Sequence, residues 1–230
     1  MFESKSGVFL VAGLGFFILA FAVMGLVPIV IYHDEPELSV KELAEQGIIH
    51  EFVELAEKFP DQFKEHFGEV TTDSFAAALK RGHKIYIGEA CWHCHSQQIR
   101  PVSNEDIRWG PRSYAAEYQN VLQRPVLFGT RRVGPDLIRE GARKSNDWHI
   151  AHFYKPRSVA PVSVMPEYPW FFDKYGYPNR DGMAIITYIQ WLGSWHQDYP
   201  YWRGEGPGGG STMPAASAEK TASAVAEGVE

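Results

Sequence analysis

Cys91-Trp92-His93-Cys94-His95 decides how this 230-residue chain is read, because it holds both of the cysteines the chain contains. Two thiols three positions apart, followed at once by a histidine, can reach the two vinyl groups on one edge of a haem and set the imidazole under the iron. A redox C-x-x-C would want a βαβ setting, and the chain carries no alternating strand pattern. Half of a zinc site would want a second ligand pair, which His33, His50, His66 and His83 do not form. The expected chemistry is therefore one covalently bound haem c on Cys91 and Cys94, with His95 as the proximal iron ligand. With no cysteine left over for a disulfide framework, the core must come from apolar burial or from the bound cofactor.

Working outward, a helical stretch from about Ser74 to Ile87 leads into the motif, with Phe75, Leu79, Gly82 and Tyr86 on related turns. Further upstream, Ser39-Val40-Lys41-Glu42 reads as a capping box that opens an acidic amphipathic helix running to Phe59-Pro60. Downstream lies a long Pro/Gly-rich region with many aromatics and no sustained period. A last helix opens near Asp181 as N-cap and places Met183, Ile186, Ile189 and Leu192 along one side before Gly193. No internal repeat is present. The soluble part reads as all-α with long loops.

The ends are different in kind. Gly7 to Tyr32 is 26 residues without a charge, which as a helix reaches about 39 Å, more than the roughly 30 Å hydrocarbon core of a bilayer. A cleaved signal peptide would need only about 7–15 apolar residues and an A-x-A-like site, whereas this run ends in Ile29-Val30-Ile31-Tyr32-His33-Asp34. An uncleaved single transmembrane anchor is expected, with Lys5 on the cytoplasmic side and the acidic flank outside. From Gly204 to Glu230 the chain is Gly/Ala/Ser/Pro-rich and reads as a disordered tail. The expected organisation is an anchor over 1–32, an acidic helical connection over 33–73, a haem domain over 74–203 and a tail over 204–230.

Charge follows the same division. Twelve acidic and three basic residues fall between Asp34 and Asp73, against seventeen basic and eleven acidic between Ser74 and Arg203. The two segments can dock on each other or face separate partners, or the charges are simply solvated faces. The net charge of -6 removes the basic footprint of a nucleic-acid partner.

The region around the motif resembles the class I cytochrome c fold. Gly82-His83-Lys84-Ile85-Tyr86 has the Gly-x-x-x-aromatic pattern of that family's first helix, and Tyr188-Ile189-Gln190-Trp191-Leu192-Gly193 is similar to its last. The small Gly82 would let those helices cross closely. Gly134-Pro135-Asp136-Leu137 resembles the family's loop after the haem motif, which implies that the Pro135 carbonyl accepts a hydrogen bond from His95. The resemblance also implies a methionine ligand in the Pro-rich loop before the last helix, which is Met165, followed by Pro166. A thioether there raises the reduction potential. Met24, Met183 and Met213 fall in the membrane run, the last helix and the tail; His149 and His152, three apart on an expected helical turn, are the rival ligands. Arg131, Arg132 and Arg157 are candidates for pairing with haem propionates, since a guanidinium matches a carboxylate fork; solvated surface is the alternative. Trp148, Trp170, Trp191 and Trp195 read as core and pocket packing.

Taken together, the anchor, Cys91 to Pro101, Gly129 to Leu137 and Met165 to Trp170 resemble the mono-haem subunit II of cbb3-type cytochrome c oxidase. That resemblance implies an electron-transfer subunit with no oxygen-reduction site of its own. It would accept electrons from the di-haem subunit or a soluble cytochrome c and pass them to haem b of the catalytic haem-copper subunit. It also implies an inner-membrane location with the haem domain in the periplasm, and an interfacial calcium ion. Two other classes stand beside it: a membrane-tethered shuttle or nitric oxide reductase cytochrome subunit, and a haem sensor or peroxidase. The first needs fewer residues than the roughly 60 between anchor and motif. The second needs an open iron site, against which Met165 argues.

Overall fold

Residues 5–34 and 37–194 are described by the computed structural model, and the chain divides into two units, 1–37 and 38–230. The expected tail and Trp195 lie outside the described residues.

In the first unit, α1 (Lys5–Ile31) has a mean hydropathy of 2.7 over its most apolar window and is long and apolar enough to cross a membrane. Pro28 has no N–H to donate and its ring crowds the carbonyl four residues back. Just ahead of it, Ala22–Leu26 widens into a π-helical turn, a common accommodation of such a defect.

The second unit begins with the capping box read from the sequence. Ser39 Oγ accepts from Glu42 N at 3.3 Å, and Glu42 Oε2 accepts from Ser39 N at 2.7 Å. The helix it opens is shorter than expected. Instead of one helix to Phe59 there are two, α2 (Val40–Glu45) and α3 (His50–Lys58), and a third, α4 (Pro60–Phe67), follows them. Gly47, at φ 153°, takes the chain out of the first, and Pro60 starts the third, where a missing N–H costs nothing. The breaks let each short piece turn its apolar residues inward. Phe52 packs its ring 5.0 Å from Phe63 and 5.2 Å from Phe75.

Phe75 lies on α5 (Thr72–Gly88), which starts slightly earlier than expected because Thr71 Oγ1 accepts from Ser74 N at 3.1 Å. The final α9 (Arg180–Trp191) also starts earlier, since the cap is Asn179 and not Asp181. Asn179 Oδ1 accepts from the backbone N–H groups of Asp181 and Gly182 at 2.9 and 3.1 Å. Asp181 instead pairs with Arg81 on α5. The two helices cross at Gly82, where an added Cβ would lie 2.2 Å from the Ala184 carbonyl oxygen and 2.5 Å from Tyr188 Cβ. The close crossing expected at Gly82 is therefore present.

Leu55, Phe63, Leu79, Ile185 and Ile186 are buried in one apolar cluster, so the acidic segment shares its core with α5 and α9. Between those helices the chain runs as long loops with short helical pieces: α6 (Glu105–Trp109), α7 (Asn146–Tyr154) and α8 (Pro156–Val159). Asn146 anchors α7 by donating to Glu51 O at 2.8 Å, while Gln190 Nε2 donates to Lys144 O at 2.8 Å and Asn146 Oδ1 at 3.2 Å. Among the described residues there are no β-strands, only isolated bridges at Leu38–Asn120 and Phe172–Pro178.

Candidate haem site

Beyond the end of α5, Ala90 turns the chain at φ 56° into a 3-10 turn over Cys91–His93. His95 N donates to Cys91 O at 2.9 Å, which folds the pentapeptide back on itself and brings the second thiol and the imidazole around one turn. Both cysteines are free and half-buried. Burial, with Glu89 close by, pushes the Cys91 thiol up to about 12, so it stays protonated.

His95 Nδ1 lies 3.0 Å from the Pro135 carbonyl oxygen. Burial pushes the imidazole below its ordinary range and the bond to Pro135 pulls it partly back. A neutral ring with its proton on Nδ1 offers Nε2 as the ligating nitrogen, the tautomer an iron ligand needs.

The loop that carries Pro135 is stitched to the motif along its length. Arg131 N and Arg132 N both donate to His93 O at 3.3 Å, Gly134 N to Cys94 O at 3.1 Å, and Leu137 N to Ser96 O at 2.9 Å. Two glycines permit this approach. A Cβ on Gly129 would sit 2.0 Å from Trp92 O, and one on Gly134 would sit 2.2 Å from His95 Cε1. From the other side the Tyr86 hydroxyl donates to His95 O.

The arginines are placed differently from one another. Arg131 is exposed. Arg132 is nearly buried, with its guanidinium 2.6 Å from Glu105 and 3.5 Å from Asp136, over the rings of Trp109 and Phe128. Its fork is thus engaged by carboxylates of this chain, while Nε meets no partner. Arg157 donates to Ser163 O at 3.2 Å, bracing the loop of Met165. Glu105 was not singled out by the sequence reading, because the region around it has no period that would mark a buried residue. Burial would push its carboxyl up, but hydrogen bonds from Arg100 and the charge of Arg132 outweigh this and hold it low. Asp136 accepts from Gln98 N at 2.9 Å and Ile138 N at 3.0 Å, and burial pushes it up to about 6.

Met165 is half-buried against the core, with its N–H donating to Ser163 Oγ at 3.2 Å. On α7, His149 is buried with no partner for Nε2, and His152 stacks on Trp148 at 4.4 Å with Nδ1 unpartnered. Two thiols and an imidazole already held at its outer nitrogen suit a haem c, and Met165 packs against the same apolar cluster as Cys91. Among the described residues no three His, Cys, Asp or Glu side chains group as a separate metal site.

Burial, then the neighbouring His152 and Lys144, pushes His149 down from 6.5 to about 3. The folded state then resists the proton that the unfolded chain takes up, so stability is lost as pH falls below about 6.5 towards 3. We expect His149→Phe to move the acid-unfolding midpoint, followed by far-ultraviolet circular dichroism, to lower pH. The gain at pH 4 should be on the order of a few kcal/mol.

Comparison with curated proteins finds no match. The model of the family described as cytochrome c oxidase, mono-haem subunit/FixO matches residues 48–178, more than half of the chain, including the helix before the motif, the motif itself and the Pro135 loop. With the motif, the Pro135 carbonyl on its histidine and the apolar first helix, the match means that this chain belongs to the FixO family of mono-haem cytochrome c oxidase subunits.

Proposed function

We propose that the chain is a periplasm-facing electron relay, taking single electrons from the di-haem subunit or a soluble cytochrome c and passing them to haem b of the catalytic subunit. The observation that carries this reading is the His95 Nδ1 contact with Pro135 O beside the only two thiols of the chain. Attached at Cys91 and Cys94, a haem c would supply a reversible one-electron couple. The chain's own part is to hold that couple still. Pro135 fixes the tautomer of His95, the hydrogen bonds from residues 129–137 fix the motif, and Met165 serves as the sixth ligand. A pre-set donor geometry lowers the reorganisation that each electron would otherwise cost. Val27 to Tyr32 would end the membrane crossing and leave the haem domain outside.

Two measurements test the assignment. A denaturing gel stained for haem peroxidase activity should show pigment on the intact chain and none on a Cys91→Ser/Cys94→Ser double variant. Pigment that acid acetone extracts from the native protein would remove the covalent reading. Met165→His should retain a six-coordinate haem at a lower reduction potential, because imidazole stabilises ferric iron more than a thioether does. Survival of the far-red sulfur-to-iron band in that variant would show that Met165 is not the ligand and that another methionine is, whereas absence of the band from the parent chain would return the sixth position to His149 or His152.

A further inference from the structure

Four fully buried polar side chains lie close to one another beside the motif: Tyr86, Gln97, Gln123 and Tyr188. They come from α5, the segment after His95, the loop near residue 123 and α9. The Tyr188 hydroxyl donates to Gln97 Oε1 at 3.1 Å. Gln123 lies beside the same hydroxyl but outside hydrogen-bonding geometry. Gln97 Nε2 and both amide atoms of Gln123 meet no protein partner in hydrogen-bonding geometry, although Gln97 also lies beside the Tyr86 hydroxyl. Buried amides are seldom left this way, since an unmet donor or acceptor keeps its full desolvation cost.

Reassigning the amides does not remove the problem. Turning the Gln97 amide over would place Nε2 towards Tyr188 and leave Oε1 unmatched, and turning Gln123 over exchanges two unmatched atoms for each other. What remains is a set with donors on Gln97 and Gln123 and acceptors on Gln123 Oε1 and the Tyr188 oxygen. None of them carries a charge, so neither an anion nor a cation is matched. A small neutral molecule that both donates and accepts fits the set.

We propose that Gln97, Gln123 and Tyr188 bind an ordered internal water, and that this water positions the backbone that leaves His95. Gln97 is held at its other polar atoms already: its N–H donates to Leu127 O at 2.8 Å, and Tyr118 donates to its carbonyl at 2.9 Å. With Tyr86 donating to His95 O, the water completes a polar frame around residues 95–97. The positioning role rests on the electron-relay reading, whereas the water site does not.

A structure of the assembled, haem-loaded complex at a resolution that shows ordered solvent should place a water within hydrogen-bonding distance of Gln97 Nε2, Gln123 and the Tyr188 hydroxyl. Direct amide-to-amide contact with no solvent density between the two glutamines would overturn the site. In Gln123→Leu the water should be lost while haem staining is retained. Hydrogen exchange at the amides of residues 95–98 should then quicken at least several-fold, with α9 unchanged. Lost density without faster exchange would overturn the positioning role. Haem staining reports on the relay reading separately, so the two can fail independently.

Discussion

Gly134→Ala is expected to abolish normal ligation by His95. The added methyl would lie 2.2 Å from Cε1 and 2.6 Å from both ring nitrogens, closer than any real carbon contact. The ring cannot simply yield, because Nδ1 is bound to Pro135 O in the same loop as Gly134. Nor can the loop lift away, since Gly134 N donates to Cys94 O and Leu137 N to Ser96 O, both within the motif region. Either the ring leaves the position in which it would ligate the iron of the proposed haem, or the loop gives up the contacts that orient it. We expect covalent haem with a disturbed low-spin spectrum and a reduction potential well away from that of the parent chain. Parent-like spectra and potential in purified Gly134→Ala would show that the Pro135 loop does not press on the ligand.

Gly82→Ala should be the most damaging single methyl outside the site. In an exposed helix this exchange stabilises by roughly 1 kcal/mol. Here the new carbon would meet a backbone carbonyl oxygen at 2.2 Å and Tyr188 Cβ at 2.5 Å, so α5 and α9 must part. Overpacking of this kind costs about 1–3 kcal/mol, and contact with backbone rather than a flexible side-chain end places it at the upper end. The parting also displaces Tyr86 and Tyr188, which lie on the same helices and reach the segment around His95. Denaturant unfolding of Gly82→Ala should give a lower midpoint, corresponding to a loss of stability of about 2 kcal/mol or more. Gly88→Ala, where nothing lies within 4 Å of the added carbon, should show no such loss.

These two glycines show what kind of information each level holds. That Gly82 faces another helix closely is legible in its spacing from Tyr86 and in the resemblance of the two helices. How closely is a property of the packed pair. Gly134 stands in a recognisable loop, yet its contact with the His95 ring joins residues 39 positions apart and has no local signature. The acidic segment is a similar case. Its capping box and apolar residues are visible in sequence, but the three-helix form depends on Gly47 and Pro60 releasing the chain so that Phe52 and Phe63 can reach Phe75.

Composition and local pattern determined the haem-attachment motif, the 26-residue uncharged run and the helical class, while the loops that carry Pro135 and Met165 were implied by the family resemblance. Each depends on residues within a few positions of one another, or on a run whose length can be counted against a bilayer. Tertiary structure decided the state of the charges and amides. Arg132 reads in sequence as a candidate haem-propionate partner or a solvated cation, and lies nearly buried between Glu105 and Asp136. Nothing in sequence marks Gln97 or Gln123, and both end fully buried beside the Tyr188 hydroxyl. The physical reason is that a polar side chain takes its role from partners distant in the chain. No periodicity encodes which donor and acceptor folding will set face to face.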